Sequence, residues 1–345
     1  MKLAALDLLS FLASGEWVSG EEIARKLGVS RAAVCKQVKT LRQRGYEISS
    51  STGKGYRLVG KADLLDADRI SRSLKTAWLG RDLQVERQVN STNGVAISRV
   101  SSSPSGSVIL AEIQTAGKGR LSRPWASPPG GIWMSLILKP TMPLNQVYRI
   151  NMAVSVALCR VLSTQFGLNA GIKWPNDLLI GQFKICGILM EVGAQVDRLD
   201  YAVVGIGLNA NNDISQFPAE WRSTTLASQL GHEIDRCDLI ARILQDIEVA
   251  YENMESKEIF EEWRRRSVTL NRQVLITSAT GDRIGRAVDL AEDGALILEI
   301  EGKRERILAG DCIHLRDAQA ASIASIASTA SALTASAAGA NWEER

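Results

Sequence analysis

The sequence predicts a multidomain α/β (α+β) protein with a small helical head, a larger α/β body and a short all-β region. Three patterns predict this organisation. Short amphipathic helices and a hairpin pattern fill residues 1–62, apolar strand patterns alternate with helical ones through 63–266, and short strands with glycine turns fill 267–316. Residues 317–345 are rich in alanine and serine and hold few large apolar side chains, so disorder or a frayed helix is expected there.

The composition is that of a soluble globular protein. It is 45% hydrophobic and 23% charged, and no apolar run reaches the ~20 residues that a membrane span needs. The five cysteines are scattered without a C-x-x-C pair, which argues against a disulfide framework or a zinc site and fits a reducing cytoplasm. With only two histidines, His232 and His314, imidazole acid–base catalysis is not expected. Asp7 interrupts the N-terminal apolar stretch, which we interpret as a first helix over 3–14 and not as a targeting signal.

Residues 1–62 have the pattern of a winged helix-turn-helix. After the helix at 3–14, Ser19 and Glu22 have the spacing of a capping box, in which each side chain satisfies the other's N–H. The run 28–30 then joins this second helix to a third one that ends at Gly45. The alternation on both sides of 51–55 predicts a hairpin wing.

The third helix is predicted to present a basic outer face to DNA. Residues 1–62 contain eleven basic and five acidic residues, whereas the whole chain carries only +3, so the head is the basic part of the molecule. Such a helix can enter a major groove. The expected DNA contacts are Arg31, Lys36, Lys39 and Arg42 of the helix and Lys54 of the wing. A helical bundle with a solvated basic face, or a winged helix used for protein contacts, is the alternative.

The body contains a glycine-rich basic loop at 114–125, directly after the predicted strand 108–113. Its glycines allow backbone N–H groups to approach an anion, and its basic side chains add positive charge. These residues are Gly117, Gly119, Lys118, Arg120 and Arg123. The spacing is neither that of a Walker A loop nor that of the dinucleotide motif G-x-G-x-x-G. The loop indicates a site for phosphate or carboxylate, with a flexible surface turn as the alternative.

A second group of polar residues follows a long amphipathic helix predicted at 146–166. In the run 173–177, Pro175 removes a strand donor and presents Asn176 and Asp177. An aspartate there can hold Mg²⁺, orient a nucleophilic amine or simply form a turn. Lys184 begins an apolar strand, where burying its charge without an anion would be costly, so a ligand role is favoured.

In their order along the chain these motifs resemble the biotin protein ligase family. The matching segments are Ser91-Thr92-Asn93, the Gln114–Arg123 loop, Lys173-Trp-Pro-Asn-Asp177, Lys184-x-x-Gly187 and Gly205-Ile-Gly-Leu-Asn209. The likeness covers residues 5–316, and the K-W-P-N-D run is its most specific motif. With its winged head the chain is similar to members that also repress the biotin operon. The resemblance implies a central mixed-sheet domain like that of class II aminoacyl-tRNA synthetases and a C-terminal SH3-like small barrel.

The resemblance also implies an ATP-dependent, AMP-forming biotin–[acetyl-CoA-carboxylase] ligase. Such an enzyme converts biotin to biotinyl-5'-AMP and transfers it to a lysine of a biotin carboxyl carrier protein. The implied biotin contacts are Ser91, Thr92, Asn93, Gln114, Lys118, Gly119, Arg120 and Lys184. The implied ATP contacts are Arg120, Arg123, Lys173, Asn176, Asp177 and Trp221, the last near adenine. Lys184, Arg120 and Asp177 would be catalytic, with Mg²⁺ accompanying ATP and Asp177 as its candidate ligand.

The implied partners are the carrier protein, operator DNA of biotin synthesis genes and a second copy of the chain when the adenylate is bound. A cytoplasmic location and no membrane partner are expected. The sequence departs from the family pattern at Lys118, where arginine is frequent; the charge is kept, but a planar bidentate contact is lost. The alternatives are a lipoate- or octanoate-type ligase, a sensing repressor without catalysis, and a monofunctional ligase with a vestigial head.

Overall fold

The structure is a computed structural model that describes residues 8, 11–12, 15–43, 46–59, 63–195, 198–278 and 281–315. Most of the helix expected at 3–14 and the whole tail at 317–345 lie outside these residues. Within the described ranges, no helix combines the length and apolar character needed to cross a membrane.

The head is a helix-turn-helix followed by a hairpin, as predicted. Helix α1 spans Gly20–Leu27 and α2 spans Arg31–Gln43, while β1 (Ile48–Ser51) pairs antiparallel with β2 (Gly55–Leu58). Its core consists of buried apolar side chains from all of these elements, among them Leu8, Leu12, Ile23, Val34, Val38, Leu41, Ile48 and Leu58. The apolar side chains of α2 thus form one buried face, as expected for the amphipathic helix that the sequence predicted.

The start and the end of α1 follow from local chemistry. The Ser19 hydroxyl accepts a hydrogen bond from the Glu22 N–H at 3.0 Å, and Gly28 ends the helix in the left-handed region at φ 64°. The second half of the expected capping box, in which the Glu22 side chain would accept from the Ser19 N–H, is replaced by another contact. The Glu22 carboxylate pairs with Lys26 at 2.8 Å, one turn further along the helix, and this salt bridge lowers the pKa of Glu22.

The body is built on a seven-stranded mixed sheet in the order β3-β4-β5-β9-β8-β7-β6. Its strands are β3 (Leu83–Val89), β4 (Ser107–Gln114), β5 (Ile132–Leu138), β6 (Ala170–Lys173), β7 (Asp177–Ile180), β8 (Phe183–Gln195) and β9 (Arg198–Leu208). Only the β3–β4 pair of this sheet is parallel. This confirms the mixed sheet.

Helices cover both faces of the sheet. They are α3 (Ala67–Ser73), α4 (Thr92–Arg99), α5 (Tyr148–Phe166), α6 (Leu226–Leu230), α7 (Arg236–Glu252) and α8 (Lys257–Arg265). Helix α5 packs on one face and is itself covered by α7 and α8, so its whole circumference is nearly buried and not only the predicted stripe. Helix α4 packs on the other face through a small cluster that includes Ala96 and Ile109. The body thus has a helix–sheet–helix layering.

The C-terminal region is a five-stranded antiparallel sheet in the order β13-β12-β11-β10-β14. The strands are β10 (Gln273–Thr277), β11 (Arg283–Leu290), β12 (Leu296–Ile300), β13 (Lys303–Ile307) and β14 (Asp311–His314). The first three were predicted. This sheet is fixed to the body at the K-W-P-N-D run, because the Trp174 indole N–H donates to the Gly294 carbonyl at 2.9 Å and the Trp174 backbone N–H donates to the Thr269 hydroxyl at 2.9 Å.

Candidate functional site

A polar floor lies between the start of α4 and the end of β4. The Gln114 side-chain oxygen accepts from the Thr92 backbone N–H at 2.8 Å and from the Thr92 hydroxyl at 3.0 Å, and its amide donates to the Ser127 hydroxyl at 2.7 Å. Ser91 caps α4 by accepting from the Gly94 N–H. Residues from two distant motifs thus meet, and each is held in one orientation by hydrogen bonds.

Asn93 extends this floor beneath the sheet. Its side-chain oxygen accepts from the Ser135 hydroxyl at 2.6 Å, and its amide donates to the Glu191 carboxylate at 2.6 Å. Gly205 makes room for it, since an added Cβ would lie 2.3 Å from the Asn93 oxygen. The Asn93 side chain is therefore held in one orientation and is only 5% exposed, and the space it occupies explains why this part of β9 needs glycine.

The basic loop folds back on itself and rests on the C-terminal sheet. The Trp125 N–H donates to the Gly117 carbonyl and the Gly119 N–H donates to the Arg123 carbonyl, at 2.8 and 2.7 Å. Leu121 and Ser122 adopt φ values of 53° and 57°, a strained conformation for residues with side chains. Gly117 and Gly119 were predicted to offer their backbone N–H groups to an anion. In this structure the Gly119 N–H is already hydrogen-bonded within the loop.

Both arginines of the loop contact the chain at the start of β14, at Gly310 and Asp311. The Arg120 guanidinium donates to the Gly310 carbonyl at 3.1 Å and lies 4.0 Å from the Asp311 carboxylate. Arg123 forms an ion pair with the same carboxylate. Asp311 was not among the residues that sequence reasoning singled out. Two cations that converge on one carboxylate form a site with the charge and geometry to accept a phosphate group.

Lys184 and Asp177 form an ion pair at 2.7 Å between the starts of β8 and β7. The anion that favours Lys184 at this position is therefore Asp177 of the chain itself. The Lys184 ammonium also lies 4.9 Å from the centre of the Trp125 ring, a cation–π contact. Side-chain exposures of 27% for Lys184 and 19% for Asp177 leave both groups accessible from the loop side.

Trp125 connects the basic loop to the ion pair and was also missed from the sequence. Its ring packs against β8 and β9, where a Cβ on Gly187 or Gly207 would approach it to 3.1 and 2.5 Å. Its indole N–H is buried and has no acceptor among the described residues. A buried donor without an acceptor costs about 1–3 kcal/mol, so this N–H suits a ligand oxygen.

The other residues assigned to ATP have different surroundings. The Asn176 amide donates to the Ile188 carbonyl at 2.7 Å, so this side chain fixes the K-W-P-N-D turn to β8. The backbone of Lys173 lies opposite that of Asp177 in the β6–β7 register. Burial lowers the pKa of His314 to about 3, and the positive charge of Lys173 adds to this effect. Trp221 packs edge-on against Phe217 at 5.6 Å, and the backbone that follows it is bonded to Lys184.

On the head, the predicted DNA contacts fall into two groups. Arg31, Lys36, Lys39 and Lys54 are exposed on α2 and at the tip of the hairpin. Arg42 is exposed as well, but its guanidinium donates to the Ile48 carbonyl at 2.6 and 2.8 Å and to the Ser50 hydroxyl at 3.1 Å. Its guanidinium therefore fastens the wing to α2, which distinguishes it from the other four.

Comparison with known proteins agrees with this arrangement over nearly the whole chain. Residues 85–209 match the Biotin/lipoate A/B protein ligase family, residues 5–57 an HTH domain, and residues 269–315 the Biotin protein ligase C terminal domain. The Bifunctional ligase/repressor BirA of Bacillus subtilis is 35% identical over 306 residues, which cover 87% of this chain and 94% of that protein. The chain belongs to the biotin protein ligase family.

Further members of the biotin protein ligase family agree with this assignment. The Bifunctional ligase/repressor BirA of Escherichia coli K12 is 30% identical over 91% of this chain and 98% of its own length. A biotin protein ligase from Aquifex aeolicus, solved in complex with biotin and ATP, superimposes with a TM-score of 0.60 at 26% identity. It covers 69% of this chain and 100% of its own.

A magnesium site in this ligase would rest on few protein oxygens. Among the described residues, no group of three or more His, Cys, Asp or Glu side chains converges as in a protein-held metal centre. Mg²⁺ usually binds through one or two carboxylates together with substrate phosphates. Asp177, whose side chain is 19% exposed and is paired with Lys184, fits such a partial ligand set.

Proposed function

We propose that the chain is a biotin–[biotin carboxyl carrier protein] ligase that also represses biotin synthesis genes through its helix-turn-helix head. One observation carries the catalytic part. The Lys184–Asp177 pair lies under Trp125, and Trp125 belongs to the same loop as Gln114 of the polar floor and the two arginines. A carboxylate-binding floor, a phosphate-binding pair and a lysine between them are what an adenylating enzyme needs.

The reaction takes place in two displacements. A carboxylate does not acylate an amine directly, so a biotin carboxylate oxygen first attacks the α-phosphorus of ATP, and the bond to pyrophosphate breaks. The acceptor lysine then attacks the carbonyl carbon of biotinyl-5'-AMP and AMP leaves with the bonding electrons. Positioning and stabilisation of negative charge are sufficient for both steps, so a histidine base is not required.

We assign biotin to the floor and the nucleotide to the basic loop. Ser91, Thr92, Asn93 and Gln114, with the backbone of 118–120, bind biotin. Arg120 and Lys184 neutralise charge where carboxylate and phosphate meet, and Arg123 binds phosphate. Lys173, Asn176 and Trp221 complete the nucleotide side, and Asp177 orients the incoming amine. For this, Arg120 and Arg123 must leave the Asp311 carboxylate and bind a phosphate. Since one anion replaces another, both arginines keep a negatively charged partner.

We assign Mg²⁺ to the phosphates of ATP, with Asp177 as the candidate protein ligand. When bound, the ion supplies further charge neutralisation on the pyrophosphate leaving group. Asp177 keeps 19% of its side chain exposed and is thus accessible for this role, and ordering of the basic loop around the nucleotide would shield the reactive junction from water.

For the head, we propose that Arg31, Lys36, Lys39 and Lys54 bind operator DNA, while Arg42 acts by holding the wing. The body would dimerise when the adenylate is bound, which supplies two heads for a palindromic operator. The edge of β8 supports this proposal. In the described part of the sheet, β7 pairs with β8 only up to Gly187, and Val192 beyond it is 42% exposed. Such an unpaired edge is suited to pairing with a second chain.

We infer that the catalytic domain at 63–266 is related to class II aminoacyl-tRNA synthetases and that 267–316 is an SH3-like barrel, with 1–62 as the head. We further propose that the protein acts in the cytoplasm.

Biotin-dependent release of pyrophosphate from ATP tests the first step. The purified protein with ATP and Mg²⁺ should release pyrophosphate when biotin is added. A response to lipoate or octanoate in place of biotin would favour a lipoate-type ligase. If neither biotin, lipoate nor octanoate causes release of pyrophosphate, the protein would be a sensing repressor without catalysis.

A further inference from the structure

We infer that Arg222 is a positioning residue that clamps the segment carrying Trp221 onto the start of β8. The inference rests on the proposed adenylation step, in which Lys184 and Trp221 act on the same nucleotide. Arg222 itself was not singled out by the sequence.

The backbone around Arg222 holds Lys184 on both sides. The Lys184 N–H donates to the Arg222 carbonyl at 2.8 Å, and the Thr224 N–H donates to the Lys184 carbonyl at 2.9 Å. Lys184 thereby forms a parallel bridge with Ser223, between these two bonds. Any displacement of the segment 222–224 therefore displaces the main chain of Lys184.

The Arg222 side chain contacts the two residues that precede Lys184. Its guanidinium donates to the Gln182 side-chain oxygen at 2.6 Å and lies 5.7 Å from the centre of the Phe183 ring. Arg222 thus binds Lys184 through its carbonyl and the adjoining turn through its side chain. The backbone and the side chain of Arg222 together hold residues 182–184, and we call this arrangement a clamp.

The backbone conformation of Arg222 is unusual for a residue with a long side chain. It has φ 47° and ψ 49°, in the left-handed region, where it closes the short 3₁₀ helix Ala219–Trp221. Glycine or asparagine is the usual choice at such a position, because other side chains are disfavoured. An arginine is compatible with this backbone only if its contacts offset the strain, and the guanidinium makes two.

Trp221 is fixed as a consequence. It immediately precedes Arg222 and packs edge-on against Phe217. Its backbone N–H donates to the Pro218 carbonyl at 3.0 Å. On the other side of the clamp, Thr225 caps α6, and the Leu226 N–H donates to the Asn209 carbonyl at 3.1 Å. The clamp therefore holds the Trp221 side of the segment, whereas the α6 side is attached to the body by its own bonds.

Replacing Arg222 by asparagine separates the clamp from the backbone conformation. Asparagine tolerates the left-handed region but cannot reach Gln182 and Phe183. We expect R222N to raise KM for ATP by about five- to tenfold, because one charge-assisted contact is lost. The effect on kcat should be smaller, and the affinity for biotin should be unchanged. R222K should recover part of the effect, because it keeps the charge but not the planar fork.

A matched control is Glu301→Asn. Glu301 also has a positive φ, 51°, but is exposed in the turn between β12 and β13. E301N should leave KM for ATP unchanged. Gln182→Ala should act in the same direction as R222N, and the double variant should be no worse than R222N alone.

Hydrogen exchange without ligands decides the clamp independently of any activity. The amides of Lys184 and Thr224 should exchange faster in R222N than in the wild-type protein and in E301N. Equal exchange would overturn the clamp, and faster exchange with a wild-type KM for ATP would overturn its role in nucleotide binding. If the wild-type protein releases no pyrophosphate with biotin, the proposed function fails, and the exchange data still decide the clamp.

Discussion

At the scale of single residues, the chemistry depends on how Lys184 is held. Its ammonium has a carboxylate at 2.7 Å and an aromatic face at 4.9 Å, so its charge is stabilised before any substrate binds. A developing anion between biotin and ATP would find this charge already in place and without reorganisation cost.

Lys184→Ala should lower the rate of biotin-dependent pyrophosphate release by more than about tenfold, because a charge-assisted contact to a developing anion contributes roughly 1.5–3 kcal/mol. Lys139→Ala is the matched control, since Lys139 is an exposed lysine directly after β5 whose ammonium donates to the Ser103 carbonyl at 2.7 Å. Wild-type release by K184A would show that Lys184 is only a solvated strand residue.

Gly205→Ala should destabilise the body and weaken biotin binding together. The added methyl group would lie 2.3 Å from the Asn93 oxygen, inside a buried network that cannot yield without breaking the Ser135 hydrogen bond. We expect a loss of about 1–3 kcal/mol of unfolding free energy by chemical denaturation. Gly94→Ala, whose Cβ would meet only Ser91 at 3.8 Å, should not be destabilising. Equal stability of G205A and the wild-type protein would contradict the assignment of Asn93 to a rigid floor.

At the scale of elements, the C-terminal sheet contributes to the active site through β14. Asp311 holds the two loop arginines, although it lies 191 residues beyond Arg120 in the chain. The strained loop is thereby kept close to the site where phosphate is to bind. Nucleotide and Asp311 would use the same two cations.

Asp311→Ala should release the loop in the absence of nucleotide. We expect faster tryptic cleavage after Lys118, Arg120 or Arg123, and protection by ATP with biotin, because phosphate replaces the lost carboxylate. Asp293→Ala removes a more exposed ion pair, with Arg306, in the same domain and serves as the control. Identical cleavage of D311A and D293A would argue against the docking of this loop on β14.

The sequence predicted the elements better than the contacts between them. Helices α1 and α2, the wing and the K-W-P-N-D turn follow from capping residues, apolar spacing and proline, all local signals. The pairing of Asp177 with Lys184 was not predicted, because residue spacing does not determine which charges meet across a turn. Nor was β13, whose four charged residues in the run Lys303–Arg306 show no apolar alternation. Asp311 required the tertiary structure, since no nearby motif marks it.

At the scale of the whole molecule, a ligase body and a DNA-binding head share one chain, and the proposed dimer would connect them. A single head has few base contacts, so specific binding should require two heads on a palindromic operator. If the adenylate promotes dimerisation, thermodynamic linkage requires that operator DNA favours the adenylate-bound state to the same degree.

Operator affinity should therefore rise when biotin and ATP are added together. Binding to the protein's own biotin-operon promoter at fixed salt measures this, and equal affinity with and without the adenylate would contradict the coupling. Lys36→Ala and Lys39→Ala should weaken binding and reduce its salt dependence by about one ion per phosphate contact, without changing ligation. No binding in either state would leave a ligase with a vestigial head.

The most direct test of the central claim is transfer of biotin to protein. The purified chain is incubated with biotin, ATP, Mg²⁺ and a biotin carboxyl carrier domain, and the intact mass of the carrier is measured. We predict the addition of one biotin at a single lysine, no addition when ATP is omitted, and strongly reduced addition with K184A. An unchanged carrier mass with the wild-type protein and all substrates present would contradict the account.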